Sequence, residues 1–332
     1  MKAVRLFGVK DLRVEDIGPP APPLENEVTL DVTYAGICGS DLHNFSTGEW
    51  ITRAPSVAGH EFTGVISSIG AKVSHVCVGD RVIVDSRHIC GHCRNCRDDL
   101  GQVCENLGFI GEIIDGGFAQ AVTLPARNVI KAPANVADRH LALAEPLAVA
   151  LHVLNKLNIP EGTEILIAGC GPIGGLVALL AAQDGHKVAV IDRNEPRANT
   201  VAEMTGGRIL DLSQDWGCQA PRYAVDATGS PHVIGQLIEK LAAGGAVGLV
   251  GIGHGTLDLN PVTLVEKEIS LVGCHAYGGE LQTIADLLPS LSPHLDQVIS
   301  EPISLDAIPD AYLRHLAGDV TSLKTIINCQ EG

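Results

Sequence analysis

Apolar and polar positions change their spacing twice along the chain. Residues 1–7, 12–17 and 27–34 are short runs of alternating type, with Val28, Leu30, Val32 and Tyr34 on one face of the third. Alternation with period two predicts half-buried strands. The segment Gly18-Pro19-Pro20-Ala21-Pro22-Pro23 between the second and third cannot be helix, because proline has no N–H to donate. Residues 62–69 and 81–84 read as further strands, separated by Gly70 and a Gly79-Asp80 turn. Gly116-Gly117-Phe118-Ala119 opens another strand pair ending near Val129. Closely spaced strands with turn signals predict a β-barrel-like first domain.

Residues 140–157 then read as helix, rich in Ala and Leu, and from Glu164 strand and helix patterns alternate. Strands are predicted over 164–168, 187–191, 223–227, 246–250 and 269–272, and helices over 176–183, 232–241 and 280–288. This is the pattern of an α/β fold with a doubly wound parallel sheet. A last helix over 305–316 and a strand over 324–328 return to the first domain. The expected division is residues 1–149, completed by 289–332, and residues 150–288.

A length of 332 residues agrees with two domains. Aromatics make up only 3% of the chain, so a core drawn from its 45% hydrophobic residues must rest on Val, Ile, Leu and Ala. The formal charge of −16 argues against nucleic acid or an anionic membrane as partner. No apolar run reaches membrane-spanning length, and no basic start leads into an apolar stretch. The expectation is a cytoplasmic protein. Ten cysteines in such a compartment point to metal or redox use rather than disulfides.

Candidate chemistry begins at Cys38-Gly39-Ser40-Asp41-Leu42-His43, directly after the third strand. Gly36 and Gly39 place these polar groups on a predicted loop. Gly59-His60-Glu61 adds two metal-capable side chains. Thiolate, imidazole and carboxylate together suit a catalytic zinc with an open position; the alternative is a core cysteine and a surface His-Glu pair. Cys90, Cys93, Cys96 and Cys104 follow in a segment with little apolar content. A closed tetrahedral zinc would stabilise such a lobe. An iron–sulfur cluster is the chemical rival, although the spacing differs from ferredoxin runs. Four sulfurs fill a tetrahedron, which leaves His92 exposed. Glu145-Pro146 sits near a helix start, where the carboxylate either meets the helix terminus or is aimed at a metal.

Gly169-Cys170-Gly171-Pro172-Ile173-Gly174 lies between a strand and a helix, and Asp192 ends the next strand. In that context the glycine pattern is a dinucleotide signature. The first glycine permits a tight turn, the second lets pyrophosphate approach, and Gly174 lets the helix pack on the sheet. Asp192 would accept hydrogen bonds from the adenosine ribose and repel a 2′-phosphate, favouring NAD over NADP. Arg193 and Arg197 stand nearby to meet such a phosphate. Thr228-Gly229-Ser230 and Gly251-Ile252-Gly253 fall at strand ends, where a dinucleotide would cross.

Taken together, these motifs and the terminal Leu-Lys-Thr-Ile-Ile run resemble the zinc-dependent medium-chain dehydrogenases/reductases, most closely the polyol (sorbitol-like) and threonine dehydrogenase branch. The resemblance spans essentially the whole chain. It implies a GroES-like β-barrel catalytic domain plus a Rossmann domain, with a small-molecule alcohol bound between them. It further implies one catalytic and one structural zinc, NAD as cofactor, and a homo-oligomer, either dimer or tetramer. Cys38, His60 and Glu61 become ligands of the catalytic zinc, with Glu145 a direct, exchanging or water-mediated ligand. Asp41 buttresses His60, and Ser40 with His43 relays a proton to solvent. One departure bears on substrate: Gly273-Cys274-His275-Ala276-Tyr277-Gly278 lacks the arginine usual there in that branch. A smaller or less polar secondary alcohol than a hexitol is therefore expected, with Tyr277 and Trp50 as candidate pocket walls. The rival readings are a zinc-free quinone or enone reductase on the same fold and a non-catalytic nucleotide-binding protein.

Overall fold

The computed structural model describes residues 1–331. The chain forms two compact units, Met1–Glu145 with Leu281–Gly332, and Pro146–Glu280. In the first unit strand Glu27–Gly36 is the hub. It pairs antiparallel with Glu61–Ile69, with Ala121–Pro125 and with Ile326–Asn328. Arg81–Val84 and Val129–Lys131 extend the sheet on one side, and Ile303–Ser304 extends it on the other. Val28, Leu30 and Val32 are fully buried while Asp31 between them is exposed. Each such aliphatic burial is worth about 1.5–3 kcal/mol. A one-residue slip would turn all three outward, so the hydrophobic pattern fixes the register. Beside this sheet, hairpin Lys2–Gly8 and Asp11–Asp16 takes Ser56–Val57 as a third strand.

Two local features differ from the sequence reading. The segment expected as a loop after Cys38 is helix Gly39–Thr47, because Asp41 reaches back to the Cys38 N–H at its start. The helix expected to stop at residue 288 runs as Glu280–Leu295, through Pro289 and Pro293. A buried stripe of Leu281, Ile284, Ala285, Leu288, Leu291 and Leu295 carries it past both rings. Tertiary burial outweighs a proline penalty of about 3 kcal/mol each.

The second unit holds a six-stranded, wholly parallel sheet. Its strand order is Arg208–Ile209, Lys187–Ile191, Glu164–Ala168, Tyr223–Asp226, Ala246–Leu249 and Ser270–Gly273. The sequence order reverses beside Glu164–Ala168, so a switch point lies at the carboxyl ends of that strand and Tyr223–Asp226. Helix Glu195–Thr205 was not legible in the pattern: only Ala198, Val201 and Ala202 are buried on it. No helix among the described residues is long and apolar enough to cross a membrane.

Candidate active site

Sheet register builds the first cluster. Gly36 pairs with Glu61 on one side and with Ile326 on the other. A side chain at Gly36 would strike Glu61 Oε2 at 2.5 Å and Lys324 Cε at 2.8 Å. Glycine therefore keeps open the channel in which Lys324 Nζ meets the Glu61 carboxylate. Both side chains are sealed from solvent, Glu61 at 0% and Lys324 at 1% exposure. Cys38 is supplied by the residue preceding helix Gly39–Thr47, and His60 by the residue before strand Glu61–Ile69. The ligand atoms of Cys38, His60 and Glu61 all lie within 4.8 Å of one another.

Asp41 ties these pieces together. One carboxylate oxygen accepts the Cys38 N–H at 3.0 Å, and the other lies 3.2 Å from His60 Nδ1. With Nδ1–H committed to Asp41, the Nε2 lone pair is free to face a metal. Burial disfavours the imidazolium of His60, but the charges of Asp41 and Cys38 outweigh it and move the pKa well upward. The surroundings of this ring are thus anionic enough to favour a cation. A half-buried thiol with a buried imidazole and carboxylate, their ligand atoms close together, fit zinc and leave a tetrahedral position open.

Glu145 lies in the first turn of helix Ala144–Leu157 and accepts a hydrogen bond from the buried Ser86 hydroxyl at 3.0 Å. It stands outside the set of three whose atoms share the 4.8 Å limit. Burial pushes its carboxyl up to about 7, with Glu61 adding to the rise while His60, Ser86 and Lys324 oppose it. A second carboxylate beside Glu61 prefers to keep its proton.

Ser40 Oγ lies 3.1 Å from Cys38 Sγ and 3.4 Å from His60 Nε2, beside the cluster. One helical turn on, His43 Nε2 meets Glu49 Oε2 at 2.9 Å. The Trp50 ring covers the imidazole at 4.5 Å between centroids, so Trp50 packs on His43. Tyr277 is fully buried. Lys324, Ser86 and Glu49 carried no role in the sequence reading. The one charged residue in the predicted terminal strand 324–328 was a usable signal for the first; the other two had none.

The four-cysteine lobe closes on itself. All four sulfurs lie within 4.8 Å of one another, and Cys90–Cys96 and Cys93–Cys104 are each 3.9 Å apart. That is too far for disulfides. Backbone N–H groups of Cys93, Cys96 and Asn106 point at the sulfurs at 3.4 Å. Such bonds, from His92 and Cys93, draw the Cys90 thiol down to about 6. Cys96 is pushed up to about 12, by burial first and then by the crowding Cys93 sulfur. Crowded thiols of this kind are the ligand set of a closed tetrahedral metal site.

In the second unit Gly169 has φ +95° and its missing Cβ would meet Thr228 Cγ2 at 2.9 Å. A Cβ on Gly174 would lie 1.8 Å from the Gly169 carbonyl oxygen. Helix Pro172–Gln183 starts at Gly171 with no side-chain cap, and the space where a Gly171 Cβ would stand is open. Uncapped N–H groups over open space suit a phosphate. Asp192 accepts the Cys170 N–H at 2.6 Å and the Asn194 N–H at 2.7 Å. Those two bonds fix the carboxylate and still leave lone pairs for a ligand. Arg193 is exposed and Arg197 half-buried, one turn into the next helix. Ile173 lies in the first turn of helix Pro172–Gln183, and Thr228 bonds the buried Asp226 through its hydroxyl at 2.5 Å.

Comparison with known proteins agrees with this geometry. Residues 24–134 match the alcohol dehydrogenase GroES-like domain, and residues 172–290 match the zinc-binding dehydrogenase family. An L-threonine 3-dehydrogenase from Sinorhizobium fredii is 30% identical over 315 residues, covering 90% of this chain and 89% of that protein. The crystal structure of 2R,3R-butanediol dehydrogenase from Bacillus subtilis superposes with a TM-score of 0.90 at 26% identity, over 98% of this chain and 99% of that one. A zinc-binding dehydrogenase from Sinorhizobium meliloti, bound to NADP, gives a TM-score of 0.92 at 29% identity, over 98% of each chain. The chain belongs to the zinc-containing medium-chain alcohol dehydrogenase family. Within it the protein is a zinc-dependent, NAD(P)-linked oxidoreductase acting on alcohols.

Proposed function

We propose that this dehydrogenase moves a hydride between NAD and a secondary alcohol, diol or polyol, giving the ketone or aldehyde. In this reading Cys38, His60 and Glu61 hold the catalytic zinc, with Glu145 beside them, and Cys90, Cys93, Cys96 and Cys104 hold the structural one. The observation that carries it is the thiol–imidazole–carboxylate set, half-buried at Cys38 and buried at His60 and Glu61, with Ser40 Oγ beside the first two. When bound, zinc supplies a Lewis acid that makes a nearby hydroxyl more acidic. Asp41 keeps the His60 proton on Nδ1 and so holds the ring in ligand orientation. Ser40 Oγ takes the substrate proton, and His43 passes it towards solvent. Gly169, Gly171, Pro172, Ile173 and Gly174 receive the pyrophosphate, with Thr228 at the neighbouring strand end. Asp192 binds the ribose and thereby selects NAD. The NADP bound by the Sinorhizobium meliloti relative makes cofactor choice a point to measure, since exposed Arg193, with Arg197, could meet a 2′-phosphate.

Because residues 273–278 lack an arginine, the site has no fixed fork for a carboxylate or several hydroxyls. A site without such a donor does not strongly reject simpler alcohols. Short secondary alcohols and vicinal diols should therefore match or exceed hexitols, with little turnover of threonine. The test is kcat/KM for 2,3-butanediol, a simple secondary alcohol, sorbitol and threonine, each with NAD and with NADP. Sorbitol or threonine leading by about a hundredfold would overturn the substrate reading, and higher efficiency with NADP would overturn the cofactor reading.

A further inference from the structure

Strand Tyr223–Asp226 ends at the switch point on a carboxylate sealed from solvent, Asp226 being 0% exposed. Its two oxygens meet three donors of the turn that follows. Oδ1 accepts the Thr228 hydroxyl at 2.5 Å and the Thr228 N–H at 3.2 Å, and Oδ2 accepts the Gly229 N–H at 2.9 Å. Thr228 Oγ1 in turn accepts the Ser230 N–H at 3.0 Å. Donors thus run one way through the turn and end on Asp226, as they do on an ionised carboxylate. Burial pushes its carboxyl up, and the bonds from Thr228 and Gly229 oppose the rise.

The main chain of the same residue holds the neighbouring strand ends. Its carbonyl accepts the Val250 and Gly251 N–H groups at 3.0 and 2.9 Å, and the next N–H, of Ala227, donates to the Ala168 carbonyl at 2.8 Å, directly before Gly169. The loops after these strands touch backbone to backbone. A Cβ on Gly251 would lie 2.1 Å from the Gly229 nitrogen, and one on Gly253 would lie 1.8 Å from the Gly229 carbonyl oxygen. With the Thr228 hydroxyl bonded to Asp226, its Cγ2 methyl is the atom set against Gly169, 2.9 Å from where a Cβ would stand. We propose that Asp226 is the positioning residue of the dinucleotide cradle: its charge holds the Thr228–Gly229 turn between the Gly169 turn and the Gly251–Gly253 loop, and through that turn sets the affinity for the dinucleotide. The Thr228 hydroxyl, its hydrogen committed inward, has none left to give a phosphate.

This rests on the reading of the Gly169–Gly174 turn as the pyrophosphate site, and the experiment separates the two. Zinc-loaded full-length protein is compared as wild type, Asp226→Asn, Thr228→Val, Thr228→Ser, the Asp226→Asn/Thr228→Val double variant and Gly171→Val. The Kd of NADH is read by fluorescence titration, alongside kcat and the KM values for NAD and a secondary alcohol. In Asp226→Asn an amide NH₂ must face either the Gly229 N–H or the Thr228 donors. Kd for NADH and KM for NAD should then rise about three- to tenfold, with kcat and the alcohol KM within about twofold of wild type. Thr228→Val should show a similar rise, Thr228→Ser, which keeps the hydroxyl, should stay near wild type, and Thr228→Val should add little in the Asp226→Asn background. Unchanged Kd in Asp226→Asn, or additive losses in the double variant, overturns the role of Asp226 alone. Should Asp226→Asn not fold, the contrast at Thr228 decides, and equal Kd in its Val and Ser variants overturns that role. The space beside Gly171 is open and its φ is −74°, so Gly171→Val should fold and obstruct the phosphates. Undiminished NADH binding by Gly171→Val overturns the pyrophosphate reading and this inference with it.

Discussion

Replacing Lys324 with Met tests the centre of the site without touching a proposed ligand. The two shapes are similar, but the Glu61 carboxylate loses the ammonium that meets it inside the protein. With both groups at 1% exposure or less, the attraction between charges about 4 Å apart is on the order of 4 kcal/mol at an effective dielectric of about 20. Removing one partner of a buried pair costs about 3–5 kcal/mol, because the remaining charge stays stranded. For a unit of about 200 residues this lowers Tm by roughly 6–20 °C. That loss belongs to the metal-free protein. Zinc at Cys38, His60 and Glu61 gives the carboxylate a divalent partner, and the expected loss falls to about 1 kcal/mol. The difference of about 3 kcal/mol must appear as zinc affinity, roughly a hundredfold tighter in Lys324→Met. The assay is calorimetric Tm with and without a mild chelator, paired with zinc competition against a metal-binding dye. Equal destabilisation in both forms, or weaker zinc binding by the variant, would refute the view that Lys324 and the metal share Glu61.

Three further outcomes are expected. Elemental analysis should find two zinc ions per chain, and mild chelation should remove the Cys38–His60–Glu61 ion and abolish activity while far-UV circular dichroism persists; one metal or none would count against both sites. Asp192→Gly should move the NADP/NAD ratio of kcat/KM upward by about tenfold or more, since Arg193 is already present, and an unchanged ratio would show that Asp192 does not set cofactor choice. Burial alone would raise the carboxyl of Glu280, but bonds from His152, its own backbone N–H and Asn155 outweigh it and hold the group at about 2. Its folded pKa lies below the unfolded value, so this stability is present above about 4.5 and lost as pH falls towards 2. Glu280→Gln should flatten the acid limb of Tm across that window, and an unaltered limb would exclude the effect.

The parts of this protein legible in sequence were those where local chemistry acts alone. Alternation at Val28, Leu30 and Val32 specified a strand, and proximity along the chain specified the four-cysteine lobe. The turn from Gly169 to Gly174 was visible because close approach to a backbone leaves no choice of residue there. Contacts made by register between distant strands were not visible. Lys324 reaches Glu61 because Gly36 pairs with both Glu61 and Ile326, and no spacing in the chain encodes that meeting. Helix Glu280–Leu295 was cut short in the reading because proline is a local signal and its buried stripe is a tertiary one. The helix after Cys38 was read as a loop because glycine and serine suggest turns, whereas Asp41 bonding back to Cys38 N–H starts a helix.

The pairing of strand Ile326–Asn328 with Glu27–Gly36 also has a consequence for how the protein is made. A ribosome delivers the continuous unit Pro146–Glu280 whole, long before the first unit can be finished. Until Ile326–Asn328 emerges, Tyr34, Ala35 and Gly36 at the end of strand Glu27–Gly36 keep one edge unpaired beyond the stretch held by Ala121–Pro125, and open strand edges recruit other chains. Over that interval Glu61 also waits without its lysine, so a nascent chain that captures zinc early supplies the missing positive charge from outside.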